Sequence, residues 1–155
     1  MSNLHRLDEA RQELQRAIES GSRIGHAAEL WKAWATLADV EAEAGNLVAA
    51  AEAKRQATAC YVAYRRDGGE NHAGPGRLVF ETTERLRAGG PAAAGSFLQQ
   101  LAPNPEAGWL GPFITALQAV VAGSRDRTLA NSQDLTYTMA AEILFLIETL
   151  ERTGT

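Results

Sequence analysis

Apolar residues recur at steps of three and four along almost the whole chain, which is the period of an amphipathic helix. Leu4, Leu7, Ala10, Leu14, Ala17 and Ile18 make the first such stripe, which loosens at Gly21-Ser22, with Gly25 in a turn. Ala27, Leu30, Trp31, Trp34, Leu37 and Ala38 make the second. It stops at Gly45-Asn46, a pair suited to ending a helix. A third helix is expected over 47–66, with Ala50, Ala53, Ala57, Cys60, Tyr61 and Tyr64 turned inward. Residues 67–76 hold four Gly and a Pro and cannot propagate it. A fourth helix is expected over 77–88, stopped by Gly89-Gly90, and Pro91 opens a fifth that reaches about Leu101. Pro103 and Pro105 break the pattern.

The last third is the most apolar. The segment 109–122 puts Leu110, Phe113, Ile114, Leu117, Val120 and Val121 on one face. Asp126 is placed to cap a short helical turn at 127–130, and Thr136 to cap a terminal helix over 137–152. That helix has Ala140, Ile143, Leu144, Ile147 and Leu150 on its main face, with Phe145 and Leu146 off it. Either the helix is buried on two sides, or the extra residues mark an oligomer contact.

Composition agrees with an all-α chain. There are 29 Ala in 155 residues and only 6% aromatics, which favours close helix contact over a β-sandwich. The net charge of −4 speaks against general nucleic-acid binding, which needs a basic face. Thirteen of the 15 cations are Arg, consistent with a high-GC, bacterial coding sequence. A lone Cys60 permits no intramolecular disulfide, and the longest strongly apolar run, 143–147, is too short for a membrane span. The expected setting is cytoplasmic, with no membrane and no nucleic-acid partner.

Leu7, Ala10 and Ala17 recur as Leu47, Ala50 and Ala57, an offset of 40. With Trp34, Leu37 and Ala38 in one helix, Gly45 at the turn, and Ala50 and Ala57 in the next, the chain resembles the tetratricopeptide repeat (TPR) family in its long-helix, roughly 40-residue variant. Glu41 stands where that family has a large apolar residue, Lys54 where it has an aromatic, and Val62 in place of the closing proline. Residues 7–20 resemble the second helix of a repeat, and 77–102 a degenerate third repeat with Gly90 at its turn. Residues 109–151, through 116–126 and 139–144, resemble a tail that follows such repeats in large bacterial proteins.

The resemblance implies antiparallel hairpins stacked as a short right-handed solenoid over residues 1–102, with capping helices at 103–155. It also implies a groove lined by the first helix of each repeat. That places Lys32, Ala35, Thr36, Asp39, Ala42 and Glu43 in the groove, with Arg77, Glu81 and Glu84 as equivalents in the third repeat. Trp31 is a candidate binding anchor beside them, although Trp31 and Trp34 at i and i+3 also suit a core. Such a groove would hold a peptide of a partner protein through charge and backbone contacts.

No catalytic motif competes with this reading. His5, His26 and His72 have no zinc-like spacing, so the loop Asp67, Glu70, His72 is the nearest candidate metal site, against a plain solvated connector. Gly68-Gly69 and Gly74-Pro75-Gly76 lack the following Gly-Lys-Ser/Thr of a phosphate loop. Cys60 on an inward stripe behaves as a small hydrophobe. Arg65, Arg66, Arg77, Arg85 and Arg87 pair naturally with Glu70, Glu81 and Glu84 as a solvated face. The sequence therefore points to a non-catalytic scaffold that binds a protein or peptide and needs no cofactor or metal. A self-associating regulatory domain of a larger protein is the second reading, and a metal enzyme at the 67–72 loop the third.

Overall fold

A computed structural model describes residues 3–23, 25, 29–70, 74–102 and 110–154. Among them every regular element is helical: α1 (Asn3–Gly21), α2 (Leu30–Glu43), α3 (Leu47–Arg66), α4 (Gly74–Leu101), α5 (Gly111–Val121), a 3-10 turn (Arg127–Asn131) and α6 (Tyr137–Thr153). None of these helices is long and apolar enough to cross a membrane. The chain packs as two compact units, residues 1–64 and 65–155. Residues 77–102, expected to belong with the preceding repeats, share the second unit with the C-terminal helices.

In the first unit α1 packs along α2. Helix α2 ends as its sequence predicts. Gly45 takes φ 84°, and the N–H groups of Gly45 and Asn46 donate to the carbonyls of Ala42 (3.1 Å) and Glu41 (2.8 Å). These two bonds satisfy carbonyls that the helix end would otherwise orphan. Leu37, Ala53, Ala57, Tyr61 and Val62 are buried. The two tryptophans of the second stripe are buried to different degrees. Trp31 is only 6% exposed, with its ring 5.5 Å from Tyr61 and 4.8 Å from Tyr64, whereas Trp34 is half-buried. Trp31 sits in the first turn of α2 and meets the far end of α3, where the two tyrosines stand. It is thus a core residue and not an exposed anchor. Ala17, expected on the inward stripe of α1, is exposed, and Ala27 lies outside the described residues.

The second unit has the larger core. Leu78, Leu86, Leu98, Phe113, Ile114, Leu117, Val120, Ile143, Leu146, Ile147 and Leu150 meet in it. Over Gly74–Leu101 the helices expected at 77–88 and from Pro91 form as two helical segments joined by a bend at Gly90, where φ 74° and ψ −171° are open to glycine and little else. Pro91 lacks an N–H and suits the first turn after the bend. Across it the Arg85 guanidinium stacks on the Phe97 ring at 4.1 Å. Both expected caps form: Asp126 accepts from the Thr128 N–H at 3.0 Å, and Thr136 from the Met139 N–H at 3.2 Å. Leu146 is fully buried and Phe145 half-buried, so α6 is covered on more than its main face.

Candidate functional site

A concave feature of the second unit lies between the first half of α4 and α6. Val79, Phe80, Thr83 and Arg87 line one wall, and Phe145, Leu146, Thr149 and Arg152 the other. Arg65 and the backbone of Gly68 and Gly69 close one end. The opposite end continues between Leu86 of α4 and Leu150 and Thr153 of α6. The cavity measures about 610 Å³ and opens to solvent. Phe80 is 61% exposed at its edge; among the described residues it is one of three large apolar side chains left exposed, with Leu47 (72%) and Val48 (85%) in the first unit.

One buried ion pair shapes this site. Glu142 on α6 is fully buried, a position that an unpaired carboxylate cannot hold without several kcal/mol of cost. Arg65, in the last turn of α3, reaches it: Nε donates to both carboxylate oxygens (3.0 and 3.2 Å) and Nη2 to Oε1 (3.1 Å). Nη1 donates to the Gly69 carbonyl at 2.8 Å, and the guanidinium lies 4.5 Å above the Phe145 ring. One side chain thus fixes α6, the 67–70 loop and an aromatic of the cleft wall together. Next to it Arg66 donates to Glu148 at 2.8 Å, which holds its guanidinium protonated above the ordinary arginine range.

The rim carries both signs of charge. Arg77 lies 3.6 Å from Glu81, and Arg87 3.3 Å from Glu84, each pair within one turn of α4. Exposed pairs of this kind add little to stability, so these side chains are free to exchange partners. Arg77, Glu81 and Glu84, named from the sequence as groove residues, line the cleft together. The other named residues, Lys32, Thr36, Asp39 and Glu43, form an exposed stripe on α2 in the first unit. There Lys32 pairs with Glu29, and the Thr36 hydroxyl donates to the Lys32 carbonyl at 2.9 Å. Ala35 is half-buried and Ala42 exposed on the same helix.

Phe80, Thr149 and Arg152 carry no sequence signal for the cleft, and Phe145 reads in the sequence only as an apolar residue off the main face of its helix. Each is unremarkable within its own helix, and only the pairing of α4 with α6 gives it a role.

Among the described residues no three His, Cys, Asp or Glu side chains gather as a metal would require. Asp67 and Glu70 are described, while His72 of that loop, like His26, lies outside the described residues. Cys60 is half-buried, and burial pushes its thiol above the ordinary range, the reverse of an activated nucleophile. Comparison with family models, curated proteins and solved structures finds no match to this chain.

Proposed function

We propose that this chain is a non-catalytic interaction module that holds a segment of a partner protein in the cleft between α4 and α6. The observation that carries the reading is the cleft itself. Its volume of about 610 Å³ is in the range of side-chain and small-ligand pockets. Its apolar wall residues, Val79, Phe80, Phe145 and Leu146, suit an apolar anchor, and the mixed charges of its rim suit orientation of a peptide backbone. The TPR-like solenoid belongs to the same proposal. Supporting it are the α1–α2 packing, the Trp31–Tyr61–Tyr64 contacts and the glycine-ended α2.

Selection of a random peptide-display library on the intact chain tests the reading, with affinities then measured by fluorescence anisotropy. Thr83→Arg fills the cleft between the two walls and is expected to weaken selected peptides about tenfold or more. Asp39→Arg with Glu43→Arg alters only the α2 stripe and is expected to leave them bound. Failure to select any peptide, or peptides lost only with the α2 variant, would overturn the assignment to the cleft.

A further inference from the structure

The outer edge of α4 has the pattern of a surface made to meet itself. Arg77, Phe80, Glu84 and Arg87 fall on one arc of about 80° at 100° per residue, and all four are exposed. Arg77 and Glu84 lie about 10.5 Å apart along the helix axis, at 1.5 Å per residue, and the midpoint between them falls beside Phe80. A two-fold axis through that midpoint, perpendicular to the helix, lays α4 antiparallel on α4 of a second copy. Arg77 then faces Glu84 of the other copy, Glu84 faces Arg77, and the two Phe80 rings meet at the centre. Residue i contacts j and j contacts i, which is the condition for a closed isologous dimer.

We infer that a second copy of this chain docks on the 77–87 face of α4, forming a two-fold dimer centred on Phe80. The occupant follows from charge complementarity: the partner surface needed opposite Arg77, Phe80 and Glu84 is the one that α4 itself presents in reverse. The Arg77–Glu81 and Arg87–Glu84 pairs within the helix are long and solvent-screened, so exchanging them for pairs across the axis costs little. Burying two Phe80 rings supplies the apolar gain that an exposed ion pair lacks. Arg77, Phe80, Glu84 and Arg87 all also line the cleft, so a partner segment entering it displaces the second copy. The dimer does not depend on any peptide binding, and its test involves none.

Sedimentation equilibrium of the intact chain over a concentration series, up to on the order of 1 mM, reads the association directly. Wild type is expected to follow a monomer–dimer equilibrium that weakens with added salt. Phe80→Ser and Phe80→Lys are each expected to weaken it about tenfold or more. Arg77→Glu and Glu84→Arg, each of which creates two like-charge contacts, are expected to do the same. The double variant Arg77→Glu/Glu84→Arg restores the complementarity and is expected to return to within about threefold of wild type. Far-UV circular dichroism confirms that each surface variant remains helical. A monomer throughout the range, a dimer indifferent to Phe80, or a double variant no tighter than its parents would overturn the inference. A dimer lost instead on Leu47→Ser/Val48→Ser would assign the contact to the first unit and overturn it as well.

Discussion

Replacing Arg65 by Met leaves the Glu142 carboxylate fully buried without its cation. Three N–H···O contacts to the carboxylate vanish at once, together with the donor to the Gly69 carbonyl and the cation over Phe145. Removing one partner of a buried pair costs about 3–5 kcal/mol, because the remaining charge keeps its desolvation penalty and loses its compensation. With a urea slope of about 2 kcal/mol/M, the unfolding midpoint falls by roughly 2 M. Glu142→Gln, which keeps one acceptor and no net charge, is expected to cost less, about 1–3 kcal/mol. The double variant Arg65→Met/Glu142→Leu removes both charges and is expected within about 1 kcal/mol of wild type. Urea unfolding followed by circular dichroism is the assay. A loss below about 1 kcal/mol, or a double variant as unstable as the single, would refute the reasoning.

Three smaller perturbations probe the rest of the fold. Gly90→Ala forces a side chain into the positive-φ bend of α4 and is expected to lower stability by about 1–3 kcal/mol in thermal or urea unfolding. Thr136→Ala deletes the hydroxyl that caps α6 and should cost about 1 kcal/mol by the same assay, with Thr136→Ser restoring most of it. Cys60 should alkylate with iodoacetamide more slowly at pH 8 than a free cysteine peptide, since burial raises its pKa and thins the thiolate; urea should erase the difference.

Little of the cleft is legible in the residue pattern. Likeness to a repeat groove points to Arg77, Glu81 and Glu84, which line the α4–α6 cleft, but that likeness places them in a groove between repeats and not opposite α6. Lys32, Thr36, Asp39 and Glu43, identified by the same likeness, stand on a separate exposed stripe. Two buried carboxylates show why the remainder is hidden. Glu41 departs from the apolar residue that the repeat pattern calls for, and within α2 nothing explains it. Its explanation is Arg11, thirty positions earlier on α1, whose Nε donates to its carboxylate. Glu142 is met by Arg65, seventy-seven positions away.

What the sequence determined by itself is everything that acts within a helical turn or two. The 3.6-residue period, the Gly45 stop, the Gly90–Pro91 bend and the Asp126 and Thr136 caps all depend on neighbours three to five positions away, and the structure keeps them. Tertiary structure decided which faces meet. Helical periodicity marks an apolar stripe but not its partner, so it could not tell that Trp31 and not Trp34 would meet Tyr61 and Tyr64. Nor could it show that Phe145 would lie under a guanidinium, or that Phe80 would be left in solvent at the edge of a cleft. Those outcomes depend on contacts between helices far apart in the chain, where packing chooses among faces that local spacing leaves equivalent.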